Sequence, residues 1–446
     1  MTKIEEFNKN LKNKKIAILG LGVSNLPLLD YFLDKECEVT VFNDEEISID
    51  VSKYPYKFYI GDEALKYLQG FDIIFRSPSF LPTRLELKQE ILRGAYVTTE
   101  VTEVLKLCPC KVIGITGSDG KTTTTTLIDL VLRANGYKTF LGGNIGTPLF
   151  TRISEMNKED VVVLELSSFQ LMDMDVSPSI SVITNITPNH LDKHTDLTEY
   201  IEAKKCIYKN GTGLLVLNDD NEITKDLTSD REIRRYSRYH QTAYFHVEGD
   251  NICFNGKVLL NTQELLIKGR HNYENICACL TALYNLIDLD KSIAAIKKFG
   301  GVEHRIEFIR ELNGVKWYND SVSSSPTRTI AGLETFDDKL VLIAGGYDKN
   351  LDYTPLAKPI LEKVKVLILL GDTSQKIYDA VMKEKTNEQL EVIKCQNLEE
   401  TINCALQKSQ KGDVVLFSPA SASFDMFKNF ADRGNKYKKI VNNLEK

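Results

Sequence analysis

Residues 112–126 read VIGITGSDGKTTTTT, and the order of residue types in this stretch decides the class of the chain. Val112 to Ile115 is a short apolar run of the kind that forms a buried strand. Gly117-Ser118-Asp119-Gly120-Lys121-Thr122 follows, and Thr124 to Asn135 then carries apolar residues at helical spacing. Strand, glycine turn, Lys-Thr and helix in that order cradle a triphosphate. The glycines let backbone N–H groups converge on phosphate oxygens, and the helix N-terminus adds partial positive charge. In such a loop Lys121 reaches the β- and γ-phosphates and the Thr122 hydroxyl ligates Mg²⁺. Gly117 to Thr123 are therefore the candidate ATP-binding residues. Ile115 stands where the strict pattern has its first glycine, so this is a variant loop with its first bend at Thr116-Gly117.

Outward from this loop, composition sets the bounds. At 446 residues the chain has room for about three domains of roughly 150 residues. Hydrophobic content of 42% and charged content of 26% describe an ordinary globular protein. A net charge of −6 gives no nucleic-acid footprint. No apolar run approaches the ~20 residues of a membrane span, and the opening MTKIEEFNKN lacks the apolar stretch of a signal peptide. A cytoplasmic chain is expected, with its nine cysteines as free thiols.

Before the loop, Lys15 to Gly20 reads as a strand, Leu26 to Lys35 as a helix and Glu38 to Phe42 as a second strand ending at Asn43-Asp44. This is a βαβ unit with Gly20-Leu21-Gly22 at its turn and an acidic residue about twenty positions on. Asn25 holds the place of the third glycine. A nucleotide-diphosphate group suits this crevice better than a nicotinamide cofactor. Ser77-Pro78-Ser79 is a turn after the strand Asp72 to Phe75. Past the loop, Gly142-Gly143-Asn144-Ile145-Gly146 is a turn presenting one amide. Asp160 to Leu164 is a buried strand tipped by Glu165, a carboxylate placed to hold Mg²⁺. His190 lies in a polar loop after the strand Ile180 to Thr184, where a lone histidine is as readily solvated as functional. Lys204 and Lys205 sit mid-helix in Tyr200 to Tyr208. Residues 226–265 read as small strands and hairpins. Asn272 and Asn275 precede a helix from Ile276 to Leu286, and either contact a purine edge or cap that helix.

From Gly301 onward, four strands (Val315 to Asn319, Leu340 to Ala344, Val364 to Leu370, Asp413 to Phe417) each end in a Gly, Ser or Asp turn. They predict another parallel α/β sheet, with Lys349 and Ser423 at strand ends where ligands gather.

The motifs TGSDGKTT, GGNIGTP, LELSSFQL, NITPNHLD, EAKKCIY, KGRHNYEN, EHRIE, YNDSVSSSPT and SPASASFDMFKNFADRG follow one another from Thr116 to Gly434. Together they resemble the Mur ligases, the ATP-dependent amide-forming enzymes of peptidoglycan synthesis, and LELSSFQL with SFDMFKNFADRG resembles their D-glutamate-adding branch. The resemblance implies an α/β chain of three domains: Rossmann-like and UDP-substrate-binding over 1–106, P-loop ATPase-like over 107–301, and Rossmann-like, amino-acid-binding over 302–446. It implies a monomer that joins D-glutamate to UDP-N-acetylmuramoyl-L-alanine through an acyl phosphate, with hinge closure near residues 300–303. Catalytic residues fall on Lys121, Glu165, His190 and Lys204. Two Mg²⁺ fall on Thr122, Glu165, His190 and a carbamylated Lys204. ATP contacts extend to His271, Asn272, Asn275, Arg305 and Asp320. The UDP-substrate site falls on Ser24, Asn43, Asp44, Ser77 and Asn144, and D-glutamate on Lys349, Ser423 and Phe430. Three positions depart from the family pattern: Val322 where a lysine is usual, Ser79 where glycine is common, and Asn43 where some members have Asp. Another Mur-family or folylpolyglutamate-type ligase, or an ATP-binding nucleotide sensor without catalysis, are the alternatives.

Overall fold

A computed structural model describes every residue except Ser48, 190–192, Lys268, 385–389 and Lys446. The first sheet contains β1 (Lys15–Leu19), β2 (Glu38–Asn43), β3 (Lys57–Ile60), β4 (Ile73–Arg76) and β5 (Tyr96–Thr98). All are parallel, in the order β3-β2-β1-β4-β5. The second contains β6 (Lys111–Thr116), β7 (Thr139–Gly143), β8 (Val161–Glu165), β9 (Ile180–Ile183), β10 (Leu214–Asn218) and β11 (Glu232–Tyr236). It too is parallel, in the order β11-β10-β9-β6-β8-β7. A small antiparallel meander follows, β12 (Phe245–Glu248), β13 (Asn251–Phe254) and β14 (Lys257–Asn261). The last sheet contains β15 (Glu307–Leu312), β16 (Val315–Asn319), β17 (Leu340–Ala344), β18 (Val364–Leu369), β19 (Glu391–Lys394) and β20 (Val414–Phe417). Its order is β15-β16-β20-β17-β18-β19, with only the β15–β16 pair antiparallel.

The chain forms two compact units, one of Met1–Glu264 with Arg270–Lys297 and one of Leu265–Gly269 with Lys298–Lys446. The first three sheets lie in the first unit. Its two parallel sheets share one hydrophobic core, running from Ile16, Ile18 and Phe75 to Val112, Val162 and Leu164. Phe150 is the bridge: its ring packs 5.7 Å from Phe7, 4.8 Å from Tyr31 and 5.6 Å from Phe75. The helix Glu100–Leu107 leads from one sheet to the other. Its buried Glu100 accepts from the backbone N–H groups of Leu149 (2.6 Å) and Phe150 (2.9 Å). In the second unit, apolar side chains cover both faces of the sheet, as a mostly parallel sheet requires.

Several elements differ from the sequence reading. Residues 226–265 hold the expected small strands and hairpins, but one strand, β11, joins the second sheet as its parallel edge. Its EIRRY sequence hides this, because an edge strand needs little apolar surface. The segment around Gly142 is less a turn than the end of β7. The helix assigned to Ile276–Leu286 starts earlier, at Arg270, so His271, Asn272 and Asn275 lie in its first two turns. The last sheet has two further strands, β15 and β19, at its edges. Among the described residues, no helix is long and apolar enough to cross a membrane.

Phe150→Ala should destabilise the first unit by about 3–5 kcal/mol, the usual cost of emptying a buried aromatic site. Thermal unfolding should show a midpoint several degrees lower, and an unchanged midpoint would disprove the shared core.

Candidate active site

β6 is flanked by β9 and β8, and the loops after these three strands meet at their carboxyl ends, where open α/β sheets bind ligands. The glycine loop after β6 is pinned to the loop after β9. Ser118 N–H donates to Asn185 O and Asp119 N–H to Asn185 Oδ1, both at 2.9 Å. The Thr184 hydroxyl donates to Asp119 O at 2.6 Å. Ser118 Oγ donates to Thr187 O at 2.9 Å and lies 3.0 Å from the Tyr200 hydroxyl. A side chain on Gly117 would strike the Thr184 hydroxyl, and one on Gly120 would strike Asn275 Oδ1. Gly120 also holds φ +76°, a region that favours glycine. It turns the chain directly into the helix Lys121–Ala134, so the helix begins at the lysine rather than at Thr124. That end of the helix leaves its first N–H groups without intrahelical partners.

Two lysines converge on this loop. Lys121 Nζ donates to Gly117 O and Ser118 O, both at 2.9 Å. Lys204, 1% exposed, donates from Nζ to Gly117 O at 2.8 Å and to Thr116 Oγ1 at 3.3 Å. Burial, and then the Lys121 ammonium, push the Lys204 amine well below the ordinary lysine range, against the pull of Asp119 and Glu165. Its neighbour Lys205 instead pairs with Glu202 at 2.7 Å on the helix surface. Glu165, at the tip of β8, is buried. Its Oε1 accepts from Asn144 Nδ2 at 2.8 Å, while Oε2 is buried with no hydrogen-bond partner. A buried carboxylate oxygen lacking a donor is what a cation satisfies. This fits the metal expected at Glu165. The same bond ties Asn144, expected at the sugar substrate, to the carboxylate expected at the metal. His190 lies outside the described residues. Asn275 is buried against the loop and accepts from Thr124 Oγ1 at 3.3 Å, whereas His271 is exposed.

In the first sheet, Ser24, Asn43, Asp44 and Ser77 gather at the ends of β1, β2 and β4. Asn43 Oδ1 accepts from Leu21 N–H at 2.9 Å, and Asp44 faces Arg84 at 3.4 Å. Ser77 Oγ lies 2.8 Å from Ser79 Oγ, so the serine in place of glycine bonds within its own turn. Asn25, fully buried, donates from Nδ2 to Leu19 O and Gly20 O at 3.1 Å each. A polar clamp thus replaces the glycine that the dinucleotide pattern calls for.

In the second unit, buried Asp320 accepts from Ser323 Oγ (2.6 Å), Ser418 Oγ (2.7 Å) and Ile306 N–H (3.2 Å). Burial raises its carboxyl from an ordinary 3.8 to about 6. Arg305 is exposed, between His304 at φ +63° and Ile306 at φ +44°. A positive φ at a β-branched residue is a strained backbone. Lys349 Nζ stands 5.6 Å over the Phe424 ring, next to buried Ser423. Arg433, a residue the sequence reading left without a role, is buried. It donates to Ala422 O (2.7 Å), Ser321 O (2.9 Å), Ser421 O (3.0 Å) and Ser321 Oγ (3.1 Å), and that hydroxyl donates to Phe430 O at 2.8 Å. One guanidinium thereby fixes the loops that carry Ser423 and Phe430. Thr184 and Asn185 were also missed as loop anchors. Asn185 opens the NITPNHLD motif and Thr184 directly precedes it, but the contact is long-range and no spacing rule reports it.

Parallel sheets with a glycine loop, a helix N-terminus, two lysines and a half-satisfied buried carboxylate define a nucleotide-binding α/β protein. The family is settled by comparison: the chain belongs to the Mur ligases. The family model for the Mur ligase middle domain matches residues 115–283, and that for the Mur ligase glutamate ligase domain matches residues 304–421. The chain is 46% identical to UDP-N-acetylmuramoylalanine–D-glutamate ligase of Clostridium acetobutylicum, over 99% of each chain. It is 44% identical to the enzyme of the same name from Clostridium botulinum strain 657, over 98% of this chain and 99% of that one. Solved structures share the fold at lower identity. UDP-N-acetylmuramate-alanine ligase from Thermotoga maritima has TM-score 0.59 at 19% identity, covering 96% of this chain and 99% of the other. The MurF ligase from Thermotoga maritima in complex with ADP has TM-score 0.53 at 17% identity, covering 98% and 96%.

Two outcomes follow from this geometry. Gly117→Ala should abolish ADP binding in calorimetry, because its methyl would collide with Thr184, whereas Gly22→Ala, with open space around it, should bind normally. Asp320 has a folded pKa above its unfolded one, so its contribution is fully present below pH 3.8 and is lost as pH rises through about 6. The loss amounts to about 3 kcal/mol at most. Asp320→Asn should therefore flatten the fall in stability of the second unit between pH 4 and 7, read by thermal unfolding.

Proposed function

We propose that this chain is the ATP-dependent ligase that adds D-glutamate to UDP-N-acetylmuramoyl-L-alanine, in the cytoplasm and as a monomer, in peptidoglycan precursor synthesis. The observation that carries this reading is the 46% identity to an enzyme of that name over 99% of both chains. The phosphate loop and its two lysines support it independently.

The chemical problem is to make an amide from a carboxylate, a poor electrophile. The substrate carboxylate attacks the γ-phosphorus of ATP, ADP leaves, and an acyl phosphate forms. The amine of D-glutamate then attacks the acyl carbon, the C–N bond forms and phosphate departs. Lys121 exchanges two neutral carbonyl partners for phosphate oxygens, a stronger charge-assisted pairing. The loop N–H groups and the start of the helix Lys121–Ala134 meet the charge on the transferring group. Thr122, Glu165, His190 and carbamylated Lys204 would hold two Mg²⁺, and bound there the metal neutralises phosphate and carboxylate oxygens as a Lewis acid. A protonated lysine repels a cation. Burial and the nearby Lys121 ammonium favour the neutral, nucleophilic amine of Lys204, the form that adds to CO₂, loses a proton and becomes an anionic oxygen donor. Asn275, with His271 and Asn272 on the same helix, serves the adenine, and Arg305 and Asp320 are the further nucleotide contacts that the family resemblance implies. Ser24, Asn43, Asp44 and Ser77 take the uridine diphosphate, with Asn144 toward the muramoyl group. Lys349 pairs with a D-glutamate carboxylate, with Ser423 and Phe430 beside it. Where the family's lysine is replaced by Val322, Arg328 supplies a cation: its Nη1 lies 3.4 Å from Val322 O.

Purified protein with ATP and Mg²⁺ should release phosphate only when both UDP-N-acetylmuramoyl-L-alanine and D-glutamate are present. Release with one acceptor, or with neither, would overturn the reading. Lys204→Ala should lose activity and recover part of it in acetate or formate. No recovery, with Mg²⁺ binding retained, would count against the carbamate.

A further inference from the structure

The antiparallel meander β12–β13–β14 takes no part in the chemistry above. Its register places His246 directly opposite Cys253. Residues opposite each other in an antiparallel pair share a face, as do residues two apart on one strand. Glu248 lies two positions beyond His246, so the three side chains point to one side of the meander. Among the described residues, this set of three His, Cys, Asp or Glu side chains brings one possible ligand atom each to within 4.8 Å of the others. His246 and Cys253 are each 2% exposed, while Glu248 is exposed and forms a rim open to solvent.

A second observation is independent of that clustering. His246 Nδ1 is buried and has no hydrogen-bond partner. Buried imidazole nitrogens are nearly always satisfied, and metal coordination is one way to satisfy them. The rim carboxylate is itself held, because Gln241 Nε2 donates to Glu248 Oε1 at 2.9 Å. Such support is how metal-binding carboxylates are commonly oriented.

We propose that His246, Cys253 and Glu248 bind a divalent ion of borderline softness, of the Zn²⁺ class. Nitrogen, thiolate and carboxylate ligands on three corners leave the fourth to water. This donor set disfavours Mg²⁺, which takes oxygen ligands, so the site is chemically separate from the one at the phosphate loop. Ligands about 2.0–2.3 Å from a tetrahedral ion lie roughly 3.5 Å apart. The longest separation must therefore close by about 1 Å, which the exposed Glu248 side chain supplies by rotation. On binding, the Cys253 S–H bond breaks, the sulfur–metal bond forms and one proton goes to solvent. The ion ties β12 to β13. It also braces the second sheet, because Val247 N–H donates to Ser237 O at 3.1 Å, just beyond β11.

Co²⁺ is the probe, added to the full-length chain without an affinity tag and with Mg²⁺ present. One Co²⁺ per chain should bind and show a thiolate-to-cobalt charge-transfer band, which oxygen ligands at the phosphate loop do not produce. The band should vanish in Cys253→Ser and His246→Asn. Glu248→Gln, at the exposed rim, should fold as the wild type and bind Co²⁺ at least ~10-fold more weakly. It should also lose any metal-induced rise in thermal midpoint. No band in the wild type, a band that survives Cys253→Ser, or unchanged affinity in Glu248→Gln would overturn the site.

Discussion

Two lysine side chains meet at one carbonyl oxygen. Lys121 and Lys204 both donate to Gly117 O, at 2.9 and 2.8 Å. Like charges this close in a buried place repel strongly. Burial and that repulsion drive Lys204 toward its neutral form, while Asp119 and Glu165 pull the other way. The loop can hold this arrangement only because it is rigid. Thr184, Asn185 and Thr187 fix its backbone from the next strand, and Gly117 leaves no room for a side chain between them. The rest of the loop is arranged around the pair, Lys121 bonded to Gly117 O and Ser118 O and Lys204 biased toward its uncharged form.

Buried polar clamps do comparable work elsewhere. Asn25 holds the ends of β1 where a dinucleotide fold would use a glycine, and Arg433 holds the loops at Ser321 and Ala422. Each satisfies backbone carbonyls that the curved loops cannot pair among themselves. Such groups specify geometry more than they stabilise it, since burying a guanidinium carries a desolvation cost that its bonds only offset. The energy of the first unit comes instead from the core that Phe150 bridges between the two parallel sheets.

How much of this was legible in the sequence depends on range. The phosphate loop was readable because strand, glycines, Lys-Thr and helix follow one another within fifteen residues. The buried strands were readable because parallel sheets demand continuous apolar runs. Edge strands were not: β11 (EIRRY) has two arginines and β19 (EVIK) a charged residue at each end, so neither shows the apolar run of a core strand. Glu165 was legible as a strand-tip carboxylate, but its bond to Asn144 joins residues twenty-one positions apart and follows no period. The distinction between buried Lys204 and surface Lys205 came from family resemblance, not from helical spacing. The anchors Thr184 and Asn185 act across more than sixty residues, beyond the reach of any local rule.

The central claim is that the loop and its lysines move a phosphoryl group onto a carboxylate. Hydroxylamine trapping tests it most directly, with D-glutamate withheld and ATP, Mg²⁺ and UDP-N-acetylmuramoyl-L-alanine supplied. The wild-type chain should yield the hydroxamate of the sugar nucleotide, and Lys121→Ala should yield none. A wild-type chain that makes the amide product yet never yields a hydroxamate would contradict the account.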